Sequence, residues 1–584
     1  MLKLIRSIVV TGTPLVVACV ALGCSSKSNF DDTVLDQDTG TPPSDADTGG
    51  PVFDVSNEGG DTDLVFKGLE IDPGNAVLTI DLSTTPVTPA TQTYKITLHA
   101  DDGSTKDVSA TAKLSLDDAV GTFTGPAFTS VTALPGGKAG MTTVVRAIDG
   151  TNSGAANLTI VMLRKGGPGT DGKKDFFFVV PYMGPPTPTR DVLKFGTNIK
   201  QVDVAFVTDT TGSMGGSITN LQTSMTTTII PNLIKAIPSV GIAVVDQKDY
   251  PITPYGGTTD FPVKVHQIVT TDATKAKTAV GLYAASGGYD GPESQIPGMQ
   301  HTLTGEELKW TGGSVPKHVP AAGTFGAVDF RPGSLPVVVE TTDVDWHGEG
   351  HTPYDVTVLG ATPPTMATLK AAFIANNAKF VDITNGAFSA SEDQANELSD
   401  ATKSNLPPAA LGGTCPTGLS GAARPATGPG GTCRLNFLHN NGSGVSDSIV
   451  KAIQGISVGS TFDVTAKPSN DPTNAVNPDT GSVVDATQFI LALRAMDEGD
   501  AANGCPAHAA KDTDGDTYKD TFISVVVGTP VCFEVLPKMN TTVKPKSVAQ
   551  FFNAFIDVLG MPGSVKLDNR TVLFLVPPTL AVPK

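Results

Sequence analysis

The stretch Val202-Asp203-Val204-Ala205-Phe206-Val207 is an apolar run of strand length, and Thr208-Asp209-Thr210-Thr211-Gly212-Ser213-Met214 follows it directly. Behind that turn, Ile218, Leu221, Met225, Ile229 and Leu233 recur at helical spacing across Ser217 to Ile237, with Pro231 placed to kink the helix or end its first part. Another apolar strand, Gly241 to Val245, comes next, then Val263 to Val269, a helix near Ala273 to Ala284, and the strand Leu335 to Glu340. Alternation of this kind predicts an α/β unit whose mostly parallel sheet is covered on both faces. In such sheets ligands sit beyond the carboxyl ends of the strands. Oxygen-bearing side chains collect there: Asp209, Thr211 and Ser213 in the spacing DxTxS, Thr341-Thr342-Asp343 after Val337-Val338-Val339-Glu340, and Tyr289-Asp290-Gly291-Pro292-Glu293 closing a glycine-rich loop. Hydroxyl and carboxylate oxygens from three loops suit a hard divalent cation.

These three stretches resemble the von Willebrand factor A family and its metal-ion-dependent adhesion site, over roughly Asn198 to Ile456. The resemblance implies a doubly wound, Rossmann-like α/β domain. Asp209, Thr211 and Ser213 match the family's DxSxS loop, with Thr keeping the hydroxyl of the first Ser, and Asp343 matches its last metal-site aspartate. Asp290 to Glu293 and Thr341 to His347 resemble the DxPE and TTDxxxH stretches of the integrin β form. Carried over residue by residue, Thr211, Ser213 and Glu293 bind Mg2+ (or Mn2+) directly. Asp209 and Asp343 hold it partly through water, and one coordination position is left for an acidic oxygen of a protein or polysaccharide partner. Gly216 and Ser217 lack the acidic side chains of the adjacent regulatory site, so that site is expected to be missing. A second, calcium-type site near Asp290, Glu293 and Asp249 is a further expectation. The competing reading is that Thr211 and Ser213 merely cap the following helix.

Outward from this unit, the N-terminus reads as an export signal: Lys3 and Arg6 precede an apolar stretch from Ile8 to Leu22, ending in Ala21-Leu22-Gly23-Cys24. Cys24 resembles the lipidated cysteine of bacterial lipoproteins, with residues 1–23 as the signal peptide; plain cleavage without lipidation stays open. Residues 24–63 are rich in Asp, Thr, Gly, Pro and Ser, and no basic residue lies between Lys27 and Lys67, which predicts an acidic, disordered tether. No later stretch is long and apolar enough to span a bilayer. Residues 64–190 alternate short strands such as Ala76 to Leu82, Thr93 to His99 and Ala156 to Met162 with turns, and read as an immunoglobulin-like β-sandwich spacer. An insertion from about Phe380 to Thr432 is expected to carry a helix, Glu392 to Lys403, and a loop held by a disulfide. Arg434 to His439 and Val445 to Ile453 then supply the last strand and helix of the unit.

Residues 457–584 return to β texture, as in Thr461 to Ala466, Thr521 to Val527 and Thr571 to Val576. One helix is expected near Ser547 to Leu559, with Val548, Phe551, Phe552, Phe555, Ile556 and Leu559 as its buried stripe and Gly560 as its stop. Within this region Asp512, Asp514, Asp516, Tyr518 and Asp520 alternate as in a calcium-wrapping loop, although Thr517 stands where such loops carry Gly, so bound Ca2+ and a solvated acidic turn are both open. Cys415, Cys433, Cys505 and Cys532 form an even set in an exported chain; sequence neighbours suggest Cys415 with Cys433 and Cys505 with Cys532, among three open connectivities.

A formal net charge of −18 disfavours nucleic acid and anionic lipid surfaces as partners. The chain has no HExxH, GxSxG, P-loop or CxxC, so a binding protein is expected rather than an enzyme. His347-Gly348-Glu349-Gly350-His351 offers two imidazoles, but its glycines argue against an ordered zinc helix, and the two are read as loop polarity. The expectation is a lipid-anchored outer-membrane protein that displays a metal-dependent adhesion domain on the cell surface. Its alternative is a periplasmic or envelope scaffold assembling a complex through the same domain.

Overall fold

Strand Gln201–Asp209 is buried on both faces because its side chains feed two separate cores: Val202, Val204 and Phe206 enter one, Ala205 and Val207 the other. It lies inside a six-stranded sheet whose spatial order is Lys264–Thr270, Ser239–Gln247, Gln201–Asp209, Leu335–Thr342, Lys379–Asn385 and Asn436–His439. Lys264–Thr270 is antiparallel to its neighbour and every other pairing is parallel. After Gln201–Asp209 the chain moves to one side of the sheet, then returns to its other side at Leu335–Thr342. That reversal leaves a crevice at the carboxyl ends of these two strands. The computed structural model describes residues 68–99, 103–138, 140–164, 175–385, 389–439, 441 and 446–579. Of the two units into which the chain divides, Met1–Gly49 and Gly50–Lys584, all of these belong to the second. The expected signal peptide, Cys24 and the expected acidic tether to residue 63 therefore lie outside the described residues; among the described residues no helix is long and apolar enough to cross a membrane.

On one face of the sheet, helix Gly215–Ser224 runs through a π-helical turn, Met225–Ile229, into helix Ile230–Ala236. Pro231 has no N–H to donate and its ring crowds the preceding turn, and the wider turn just before it absorbs both. Ile218, Leu221, Met225, Ile229 and Leu233 are all buried there beside Ile449 and Ile453 of helix Ser446–Gly459. The other face is covered by helix Gln295–Thr304 through Ile296, Met299 and Leu303, and by helices Met366–Ala375 and Ser389–Ala401.

Two regions differ from the sequence expectation. Phe380 belongs to the fifth strand of the sheet and Ser389–Ala401 packs on it as a regular helix, so the insertion shrinks to the stretch between Asn405 and Cys433. Residues Gln550–Met561 form a strand, not a helix, paired with Val565–Val576 on one side and Thr461–Asn470 on the other. The same residues also satisfy period two: Phe552, Ala554, Ile556 and Val558 are buried while Asn553, Phe555, Asp557 and Leu559 are only half so. Gly560 is no cap, because a Cβ there would stand 2.9 Å from the Phe462 ring.

The β-rich flanks are joined through non-local pairing. Phe176–Val179 runs parallel to Val572–Leu575, and Asp191–Phe195 pairs antiparallel with Val531–Val535, so residues 176–195 are built into the same sheets as the C-terminal segment. Phe178, Phe195, Phe533, Phe552 and Phe574 fill the core of that region, which is continuous with the core under the six-stranded sheet. Residues Leu69–Leu163 make a separate set of sheets around Ile80, Ile96, Phe128, Val145 and Ile160. Two disulfides, Cys415–Cys433 and Cys505–Cys532, close the loops that sequence proximity suggested.

Candidate metal centre

The crevice at the strand ends is lined by oxygen. Asp209 closes its strand fully buried, and its Oδ1 accepts hydrogen bonds from the Thr211 amide at 2.8 Å and the Thr211 hydroxyl at 2.7 Å. Its Oδ2 accepts from the Thr342 hydroxyl at 2.8 Å. Ser213, exposed at the crevice mouth, donates from Oγ to Asp343 Oδ1 at 2.9 Å and lies 3.2 Å from Thr211 Oγ1. The hydroxyl hydrogens of Thr211 and Ser213 thus point at carboxylates, which leaves oxygen lone pairs facing away from them. Thr211 makes no side-chain cap on the following 3-10 turn, so the capping reading fails for it.

The loop from Ala284 to Glu293 closes the other wall. The Gly212 amide donates to the Gly287 carbonyl at 2.9 Å, which docks the two loops on each other. Gly287 and Gly288 have φ of +79° and +75°, where a side chain is strained, and also no room for one: a Cβ on Gly287 would lie 1.8 Å from Asp260 Oδ1, and one on Gly288 2.5 Å from Glu293 Oε1 and 3.0 Å from Thr211 Cβ. Glu293 and Thr211 therefore meet the same bare stretch of backbone. The Glu293 amide donates to Asp345 O at 3.1 Å, holding its loop against the one after Asp343. Its side chain is almost fully buried, and Oε2 has no hydrogen-bond partner.

Electrostatics sharpen the picture. Burial, with Asp209, Asp249, Asp290 and Asp260 nearby, pushes the Glu293 carboxyl up to about 12. Burial raises Asp209 to about 7 against the hydrogen bonds that favour its ionised form, and Asp343 also rises through burial. Unpaired buried carboxylates are costly, and a divalent cation is the group that relieves several at once. The donor set is wholly oxygen and fits a hard cation.

The structure thus brings Asp209, Thr211, Ser213, Glu293 and Asp343 to one crevice. Asp249 and Asp290 lie beside it, joined by His347, whose side chain is fully buried rather than at the surface. The partner histidine of the zinc reading, His351, is exposed and not part of that group. Sequence reading missed three neighbours. Asp260 accepts from the Gly257 amide at 2.7 Å and the Gly288 amide at 3.1 Å. His439, on the edge strand, sits with Nε2 3.1 Å from the Thr342 carbonyl. Tyr354 donates to Asp249 Oδ1 at 2.6 Å. Only Asp260 carried a signal, in Gly256 and Gly287, where an added Cβ would stand 2.9 Å and 1.8 Å from its carboxylate.

In the C-terminal region, Asp512, Asp514 and Asp520 come together, whereas Asp516 is not part of the group. Asp512 accepts from the Gly515 and Thr517 amides, Asp516 accepts from the Tyr518 amide, and Thr517 takes φ +80° where a calcium loop carries Gly.

No protein-family model and no curated protein matches the sequence. Solved structures similar to it include a von Willebrand factor type A protein from Catenulispora acidiphila, at 10% identity and TM-score 0.27, covering 80% of this chain and 74% of that one. Proximal thread matrix protein 1 from the mussel byssus matches at 11% identity and TM-score 0.25, over 46% of this chain and 48% of its own. The pilus adhesin SpaC from Lactobacillus rhamnosus GG, in its open conformation, matches at 11% identity and TM-score 0.26, over 85% of this chain and 55% of its own. Scores of this size carry no argument about function, which must rest on the residues. The chain is a multidomain, mostly β protein with a von Willebrand factor A protein among its structural neighbours.

Proposed function

We propose that the six-stranded unit is a von Willebrand factor A domain that binds a partner through a divalent metal, Mg2+ or Mn2+, held by Thr211, Ser213 and Glu293 with Asp209 and Asp343 behind them. The observation that carries this is Glu293: a buried carboxylate with an orphaned oxygen, set against Thr211 by a glycine that leaves no space between them. A bound cation supplies Lewis acidity toward one further oxygen ligand. The chain's own part is to fix the ion and shape the approach. Ser213 and Tyr289, 66% exposed on the Glu293 loop, leave the crevice open to a macromolecule, and an exposed aromatic at a rim is a common contact in protein recognition. An acidic oxygen of a protein or polysaccharide completes the coordination, so a protein of net charge −18 attracts an acidic partner through the metal.

The site supplies binding and no catalytic step. The export signal and Cys24 favour display from a lipid anchor at the outer membrane. The physiological reading is adhesion at the cell surface, with envelope scaffolding as its rival. The test is retention of full-length protein on carboxylate-bearing beads in Mg2+ and in chelator, with Asp209→Ala beside wild type. Retention that needs both Mg2+ and Asp209 supports metal-bridged binding; equal retention in chelator sinks it. Protease added to intact cells then separates the locations, because a scaffold inside the envelope is cut only after the outer membrane is opened.

A further inference from the structure

Beside the first site, three side chains converge with a different chemistry. Asp249 lies just past strand Ser239–Gln247, Asp290 in the loop that ends at Glu293, and His347 in the loop after strand Leu335–Thr342. His347 Nδ1 is 2.6 Å from the Thr352 carbonyl, which can only accept, so Nδ1 carries a hydrogen and Nε2 is the ring nitrogen left to face Asp249 and Asp290. That arrangement is the one by which a metal-ligating imidazole is oriented. Nε2 stands 3.4 Å from Asp249 Oδ2 and 3.3 Å from Asp290 Oδ2. Elsewhere in the described residues, His99 and His318 are hydrogen-bonded to carboxylates at 2.7 and 2.9 Å. The His347 spacings are longer than these. They match the edge of about 3.3–3.4 Å that follows from tetrahedral bonds of roughly 2.0–2.1 Å.

The carboxylate of Asp249 is prepared in the same sense. Its Oδ1 is taken by the Tyr250 amide and the Tyr354 hydroxyl, each at 2.6 Å, while Oδ2 and the facing Nε2 have no hydrogen-bond partner although both side chains are fully buried. One nitrogen and two carboxylate oxygens lie within 4.8 Å of one another.

We propose that Asp249, Asp290 and His347 form a second metal centre, selective for a transition dication of the zinc class. Calcium is coordinated by oxygen alone, whereas imidazole beside carboxylates selects borderline ions. This replaces the calcium-type site expected near Asp249 and Asp290. The ion ties together three loops that also wall the first site: the Glu293 amide donates to Asp345 O, and the His347 amide donates to Glu293 O at 3.1 Å. On the adhesion-site reading, filling the second centre fixes Glu293 for the first.

The test uses chelator-stripped full-length protein titrated with Co2+, whose visible absorption reports nitrogen and oxygen coordination, with Zn2+ and Ca2+ as competitors. Wild type and Asp209→Ala should bind Co2+ alike, lose it to Zn2+ and keep it against Ca2+. His347→Gln and, separately, the partly exposed Asp290→Asn should each weaken Zn2+ by at least about tenfold. If His347→Gln fails to fold, Asp290→Asn alone decides. An absorption spectrum unchanged in Asp290→Asn, displacement by Ca2+, or loss of Co2+ binding in Asp209→Ala overturns a separate centre. So does no binding at all, the behaviour of a protonated His347 held between two carboxylates. Because the readout does not pass through Asp209, failure here and failure of the adhesion site are told apart.

Discussion

Replacing Gly288 by alanine tests the link between Glu293 and the metal without touching a ligand. The residue has φ +75°, so alanine there costs about 1–2 kcal/mol of fold stability from the left-handed backbone alone. The new methyl would stand 2.5 Å from Glu293 Oε1 and 3.0 Å from Thr211 Cβ. To reach an ordinary carbon–oxygen separation of ~3.3 Å the carboxylate oxygen must withdraw by about 0.8 Å. Metal–ligand distances tolerate only about ±0.2 Å, so the Glu293 bond breaks, and Mg2+ affinity should fall at least about tenfold, which is ~1.4 kcal/mol. The assay is calorimetric titration of the chelator-stripped full-length protein, with a metal-free thermal melt to record the backbone penalty separately. Gly291→Ala is the control: it lies in the same loop, outside the left-handed region, with nothing within 4 Å of the added carbon. A Gly288→Ala protein that melts lower yet binds Mg2+ as tightly as wild type would refute the role of Glu293 as a ligand.

Glu340 and Asp382 face each other on adjacent strands, both fully buried; burial raises Asp382 to about 7 and Glu340, with Asp382 beside it, well above its ordinary value. The folded state thus keeps protons that the unfolded chain releases between the usual carboxylate range and about pH 7, so metal-free stability should fall as pH rises through that window. Asp382→Asn should flatten the fall in urea denaturation measured at pH 5 and pH 7, and an unchanged slope would contradict proton retention by this buried pair. Asp209 titrates in the same window, and protons compete with the cation, so Mg2+ affinity should rise from pH 5 to pH 7 in wild type; a flat profile by calorimetry would count against Asp209 in the site. Cys505 and Cys532 are 27 residues apart, and replacing both by serine should cost about 3.5 kcal/mol in chain entropy, read by denaturation of the non-reduced proteins. Gly560→Val should destabilise through the Phe462 ring, and a neutral outcome would question the strand assignment.

Much of the α/β unit was legible because its strands are buried on both faces. Such strands read as continuous apolar runs, and Val202 to Val207 and Leu335 to Glu340 could hardly be anything else. The helix after Gly215 was legible for the complementary reason, since one stripe of five residues satisfies only the helical period. Between Ser547 and Leu559 the stripe satisfied both periods, and what decided the outcome was pairing with Thr461–Asn470 and Val565–Val576, which no local window contains. The same holds for Phe176–Val179 and Asp191–Phe195, whose partners lie near the other end of the chain. The first loop of the proposed metal site is local, Asp209, Thr211 and Ser213 within five residues, and the sequence displays it openly. The buried group around His347 draws on Asp249, Asp290 and Tyr354 from separate loops, and its histidine sits in a glycine-rich stretch that looks like surface until the chain is folded.

The central claim is that the crevice at the ends of Gln201–Asp209 and Leu335–Thr342 binds a divalent metal. It is tested most directly by titrating chelator-stripped protein with Mn2+ and Mg2+, comparing wild type with Asp209→Ala. The full chain is the right material, because the core beneath the sheet continues into the C-terminal sheets. The account predicts saturable binding in wild type that is lost or strongly weakened in a folded Asp209→Ala protein. Equal binding in the two proteins, or folded wild type that takes up neither ion, would contradict it.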